Sequence, residues 1–133
     1  MKSHVRTMII TGGILNLLLA FFHFFLCYQI FIFYGSMAFY PLLEMFSIGG
    51  TLMVFFLAYT SLFCPADLVN TKSGKAVIVL NILVYLSRVL GEFILFPKQN
   101  IWIIVLCSFL TLLYVYIFTA VRTNSQKKQS LSV

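Results

Sequence analysis

The fold is decided by long apolar stretches, and the most informative of them is AVIVLNILVYLSRVLGEFILF, residues 76–96. A helix of this length can cross a bilayer, because it rises about 1.5 Å per residue and the hydrocarbon core is about 30 Å thick. Helix is the only option for such a span, since an open strand would leave backbone amides unpaired in lipid. Three further apolar runs, at about 8–33, 43–63 and 101–121, have the same character.

The overall composition agrees with four membrane spans. Of the 133 residues, 62% are hydrophobic and only 9% are charged, whereas a soluble domain is about 45–50% apolar and about 25% charged. We therefore expect an all-α polytopic membrane protein. Residues 1–121 form a single four-helix domain, and residues 122–133 form a polar cytoplasmic tail that we expect to be disordered. The same figures exclude a soluble enzyme and a nucleic-acid partner.

Positive charges are distributed unevenly between the two sides of the predicted bundle. With four spans, the N-terminus, the second loop and the C-terminal tail lie on one side and carry most of the cations: Lys2, Arg6, Lys72, Lys75, Arg122, Lys127 and Lys128. The loops of the other side carry only Lys98. Because cytoplasmic loops are enriched in Lys and Arg, we predict an antiparallel bundle with both termini cytoplasmic.

The third span carries charged and polar residues on one face. Arg88 and Glu92 are four residues apart, so they share a helix face and can pair. Asn81 and Tyr85 continue that face toward the start of the helix. A charge at the bilayer centre costs at least about 2.5–3.5 kcal/mol, and such residues are functional by default. An Arg–Glu pair can also be a purely structural device, and the sequence leaves that alternative open.

Each of the other spans has a face of small or hydroxylated residues. Small residues let helices approach closely in a bilayer, whereas large apolar residues face lipid, so we expect these faces to point into the bundle. They are Gly12, Asn16, Ala20, His23 and Cys27 in the first span, Ser47, Gly50, Val54, Ala58 and Ser61 in the second, and Ser108, Thr111, Val115 and Thr119 in the fourth.

Depth along the helices predicts which polar side chains meet. His23 is roughly 22 Å and Arg88 roughly 18 Å from the inner ends of their helices, so both lie near Glu92 in the outer half of the bundle. We predict a polar intramembrane pocket there, with two further polar residues at its mouth. The candidate ligand-binding residues are His23, Arg88, Glu92, Tyr85, Asn81, Asn16, Glu44 and Gln29, of which Glu44 and Gln29 form the mouth.

Motifs of catalysis and metal binding are absent from the sequence. It contains no H-E-x-x-H, G-x-S-x-G or Walker motif. Its three cysteines include no C-x-x-C pair, which argues against a zinc site. The sequence therefore identifies no catalytic residue, metal ligand or cofactor, and it favours a protein without enzymatic activity.

Several short stretches resemble small uncharacterised bacterial four-span membrane proteins. They are LFCPADL at 62–68, TKSGKA at 71–76, YLSR at 85–88 and FILFP at 93–97. The layout is also similar to that of the DoxX-like group. This resemblance implies a location in a bacterial inner membrane and an accessory role beside quinone-linked oxidoreductases and membrane redox complexes. It carries over no catalytic residue.

Three functions remain open from the sequence. The first is a binding or accessory membrane protein whose pocket holds a small amphipathic or anionic ligand, with Arg88 as the anchor, Glu92 as its orienting partner and His23 as a second hydrogen-bonding group. The second is a subunit of a quinone- or lipid-linked membrane enzyme, in which His23 exchanges a proton. The third is a structural protein that interacts through its helices, as a homo-oligomer or with a membrane partner subunit.

Overall fold

A computed structural model describes residues 3–34, 36, 38–95 and 99–130 of the chain. The described residues form five helices, which are α1 (Ser3–Tyr34), α2 (Tyr40–Phe63), α3 (Pro65–Asn70), α4 (Lys72–Leu95) and α5 (Ile101–Ser130). All of them except α3 are long and apolar enough to cross a membrane. The all-α class and the four candidate spans are therefore confirmed.

The helices extend beyond the predicted spans. α1 begins at Ser3 and not near residue 8, because a helix propagates readily into polar residues once an apolar segment has nucleated it. α5 continues to Ser130 for the same reason, so the described part of the expected disordered tail is helical. The loop between α2 and α4 contains α3, a short helix that the sequence analysis did not anticipate.

The turn around α3 depends on a proline, a threonine and a glycine. Pro65 occupies the start of α3, where its missing N–H leaves no hydrogen bond unmade. The hydroxyl of Thr71 caps α4 by accepting the backbone N–H of Gly74 at 2.8 Å. Gly74 lies so close to α3 that a Cβ at this position would overlap the carbonyl oxygen of Asp67. Glycine at position 74 therefore allows α3 to pack against α4.

An apolar core surrounds α3. Leu68 of α3 is only 2% exposed and belongs to one cluster with residues of three long helices, which include Val5, Ile9, Ile78, Ile117 and Val121. The end of the bundle that contains Val5, Leu68 and Val121 is called the α3 end below. Because the short helix fills the space between α1, α4 and α5, the bundle is tightly packed at this end.

The opposite end, called the far end below, carries the connections between α1 and α2 and between α4 and α5. The rings of Phe31 in α1 and Tyr40 in α2 meet edge to face, with centroids 6.2 Å apart. Asn100, just before α5, donates its backbone N–H to Oε1 of Glu92 in α4 at 2.9 Å. Each connection is therefore fixed by a contact between the two helices that it joins.

Burial decreases from the α3 end toward the far end in α1 and α2. The buried side chains described in α1 all lie at or before Ala20, and those in α2 all lie at or after Thr51. Among the described side chains of residues 21–33 and 40–50, none is buried. We call residues 21–33 of α1, residues 40–50 of α2 and the part of α4 after Tyr85 the far half. In the far half α1 and α2 are therefore less buried than at the α3 end, whereas Glu92 of α4 and Cys107 of α5 stay buried.

Candidate polar site between the helices

A network of hydrogen bonds joins all four long helices in the middle of the bundle. Its hub is Asn16 of α1, whose side-chain amide donates to Oδ1 of Asn81 in α4 at 3.0 Å and to the hydroxyl of Tyr114 in α5 at 3.1 Å. Oδ1 of Asn16 accepts the hydroxyl of Tyr85 at 2.5 Å. Ser61 of α2 lies 3.2 Å from the Tyr114 hydroxyl. These five residues are called the asparagine network.

The asparagine network is buried, and its members form hydrogen bonds mainly with one another. Its members are at most 3% exposed. Both amide N–H bonds and the carbonyl oxygen of Asn16 are used within it, and the amide of Asn81 also donates to the carbonyl of Val77 at 3.0 Å. Gly12 makes room for it, since a Cβ there would lie 2.7 Å from the Tyr114 hydroxyl oxygen. Asn16 therefore binds neighbouring helices, with no N–H donor left for a ligand.

Three of the predicted pocket residues thus meet in the packed interior. Asn16, Asn81 and Tyr85 share one layer, as their helix faces predict, but they bond to one another and not around an open cavity. The small-residue faces of α1 and α2 also point inward, although His23 and Cys27 at the far end of the α1 face are only partly buried.

The inward face predicted for α5 is wrong. Val115 and Thr119 are exposed, and Ser108 and Thr111 are only partly buried. The buried face consists of larger side chains at helical spacing: Cys107, Leu110, Tyr114, Ile117 and Val121. The preference for small residues at membrane interfaces does not hold for α5, because the asparagine network needs the long side chain of Tyr114. The regular spacing of this set would have identified the buried face.

Arg88 and Glu92 form the predicted ion pair, toward the far end of α4. Nη1 of Arg88 is 2.7 Å from Oε2 of Glu92. The other carboxylate oxygen of Glu92 accepts the N–H of Asn100. Asn100 in turn accepts the N–H of Trp102 at 3.1 Å, as a capping residue of α5 does. Glu92 therefore fastens the Arg88 side chain to the connection between α4 and α5, a contact that the sequence did not predict.

The two members of the ion pair differ in exposure, and His23 lies near them. The side chain of Glu92 is 4% exposed, whereas that of Arg88 is 41% exposed. His23 of α1 is partly buried and packs over Gly50 of α2, where a Cβ would be 3.8 Å from the imidazole ring. Arg88 also acts on it electrostatically. The far half thus contains an imidazole on α1 and a guanidinium on α4.

The other predicted residues lie along α1 and α2. Glu44 and Gln29 are both partly buried. Oε2 of Glu44 is buried and has no hydrogen-bond partner among the described residues. Gln29 likewise forms no hydrogen bond to another residue within the described ranges. Cys27, on the same helix as Gln29, lies 3.0 Å from the hydroxyl of Ser47 in α2.

Neither metal ligands nor relatives identify the site. In the described part of the chain, no group of three or more His, Cys, Asp or Glu side chains could hold a metal ion. Comparisons with protein-family models, with curated proteins and with solved structures find no match for this chain. The DoxX-like resemblance and the bacterial origin therefore stay predictions.

Tyr114→Phe tests the asparagine network. It removes the hydroxyl that Asn16 and Ser61 contact, so we expect the free energy of unfolding to fall by about 1 kcal/mol, the usual net value of such a bond. Tyr116→Phe is the matched control, because Tyr116 lies on the same helix and is 48% exposed. Unfolding in bicelles measures both variants. Equal stability of the two would contradict a cohesive role for the network.

Arg88→Leu tests the ion pair. This change leaves the buried carboxylate of Glu92 without its cation, and we expect it to cost about 3 kcal/mol, the lower end for a broken buried pair, because Arg88 is partly exposed. The double variant Arg88→Leu/Glu92→Gln should recover most of the loss, since glutamine is neutral and still accepts the N–H of Asn100. Melting temperatures in detergent provide the comparison. A double variant that melts no higher than the single variant would show that the pair is not coupled.

Proposed function

We propose that this chain is a small integral membrane protein of binding or accessory type, and that it holds a ligand in the far half between Arg88 and His23. The observation that carries the proposal is the exposure of Arg88, whose side chain stays 41% exposed while a buried glutamate holds it. Ionisable side chains within membrane spans are costly and usually mark a binding site or a pathway. A guanidinium kept partly exposed by a fixed carboxylate has the arrangement of a ligand anchor.

The asparagine network holds the helices together at a different place from the exposed guanidinium of Arg88. This supports binding over a purely structural role. The asparagine network already bonds α1, α2, α4 and α5 to one another. The ion pair, by contrast, joins residues of a single helix. The bonds of this network therefore join the four helices without His23 or Arg88.

A membrane enzyme subunit that uses quinone or lipid is the second candidate. The observation in its favour is the partly buried imidazole of His23 within a candidate span, because an imidazole can exchange a proton near neutral pH. This candidate uses the same site and differs only in the chemistry performed there.

We further propose an antiparallel bundle in an inner membrane, with the α3 end in the cytoplasm and the far end outside. Two contacts between α1 and α2 support opposite chain directions, since Gly13 lies against Ser61 while Cys27 lies against Ser47. The orientation is supported by exposed cations at the α3 end, Arg6, Lys72 and Arg122, because positive residues remain in the cytoplasm.

Reporter fusions test the orientation. A reporter after Val133 should be cytoplasmic, and one inserted at Gly35 should be external, because the charge asymmetry of the loops determines the insertion. Paired reporters that are active only inside or only outside the cell provide the measurement. A C-terminus outside the cell would contradict the orientation, and two reporters on the same side would contradict the even number of spans.

Native mass spectrometry of the gently purified protein tests the binding role. We expect a retained small molecule on the wild-type protein and its loss from the double variant Arg88→Leu/Glu92→Gln. Arg122→Gln is the control, since it removes an exposed cation at the opposite end of the bundle. Melting temperatures establish that each variant is folded. A wild-type protein without a bound molecule, or a folded double variant that keeps it, would contradict the proposal.

A further inference from the structure

The far half also indicates which class of ligand the proposed site takes. We infer that the ligand is an acidic amphiphile, an acyl chain that ends in a carboxylate, and that it enters sideways from the surrounding leaflet. This inference rests on the proposed binding function and adds the chemistry and route of the ligand.

The route follows from the way burial is distributed. At the α3 end, Leu68 and its neighbours fill the bundle, and the closed asparagine network forms a barrier above them. In the far half, the described side chains of residues 21–33 and 40–50 include none that is buried. A molecule dissolved in the leaflet can therefore approach α1 and α2 from the side, and it can approach the exposed side of Arg88 in α4. It cannot pass the network toward the α3 end.

The apolar surroundings of His23 and Arg88 require a ligand that has an apolar part. Both groups lie in candidate membrane spans whose exposed side chains are mostly large and apolar, such as Phe21 and Phe25 in α1 and Leu90 in α4. A small hydrated anion would have to lose its water against these rings, which is unfavourable. An acyl chain has no hydration shell to lose when it moves from the leaflet to these side chains.

An acidic headgroup is favoured by the chemistry of Arg88. A guanidinium presents five N–H donors in a planar fork and binds carboxylates through two parallel hydrogen bonds. Because 41% of this side chain stays exposed while Glu92 is bound, a second carboxylate can approach the guanidinium from its exposed side. The imidazole of His23 in α1 is a second, partly buried polar group of the far half.

The depth of the guanidinium suits a headgroup. Arg88 is held at the level of Glu92, three residues before α4 ends at Leu95, which is about 4.5 Å along the helix axis. The carboxylate of a fatty acid lies near the membrane surface, and its chain points toward the bilayer centre. The site is therefore at the depth that such a molecule already occupies in the leaflet.

Palmitate and hexadecanol, in nanodiscs of phosphatidylcholine, test the inference, because they differ mainly in the headgroup. We expect the wild-type protein to bind palmitate about tenfold more tightly, as one additional charge-assisted hydrogen bond predicts. This preference should disappear in the double variant Arg88→Leu/Glu92→Gln and persist in the control Arg122→Gln. Acetate, which has the carboxylate but no chain, should not compete with palmitate at equal concentration.

Two outcomes would overturn the inference. The first is equal affinity of the wild-type protein for palmitate and hexadecanol, or a preference that the double variant keeps, which would exclude recognition of the acid by Arg88. The second is competition by acetate, which would exclude the amphiphile. In either case, a molecule retained in native mass spectrometry that depends on Arg88 would show that the proposed site exists and that only its ligand class was wrong.

Discussion

The buried carboxamide of Asn16 is the constraint on which the rest of the structure depends. A polar group without partners in a water-free interior costs several kcal/mol, and this side chain has two N–H bonds and a carbonyl oxygen to satisfy. Asn81, Tyr85 and Tyr114 satisfy them from two other helices. The helices can therefore pack at this level only where those side chains meet. Ser61 extends the same requirement to α2 through Tyr114.

The asparagine network divides the molecule into two parts with different packing. On one side of it, α3 packs against α4 across Gly74, and an apolar cluster fills the bundle. On the other side, Glu92 fixes Arg88 to the α4–α5 connection while the guanidinium stays partly exposed. Because the cohesive contacts lie in the network and at the α3 end, the far half is able to keep polar groups accessible. This division supports the binding role that we propose for that half.

The features that follow from sequence are those that depend on local patterns. Hydropathy predicts the four spans, and helical spacing predicts that Asn81 and Glu92 share a face. Helical spacing also indicates that Tyr114 lies on the buried face of α5, but its bond to Asn16, 98 residues away in the chain, is determined by no local pattern. α3 has six residues, too few for a periodic pattern to appear. The contact between Glu92 and Asn100 depends on how α4 and α5 are connected, which the local sequence pattern does not predict.

Solid-state NMR of the protein in lipid bilayers tests the central claim most directly, because it observes the side-chain amide of Asn16. The account predicts through-space correlations from these amide protons to the rings of both Tyr85 and Tyr114, and slow exchange of the amide with water. Correlations to neither ring, together with rapid exchange, would show that Asn16 faces water and not the other helices. That result would contradict the asparagine network and the division of the bundle that depends on it.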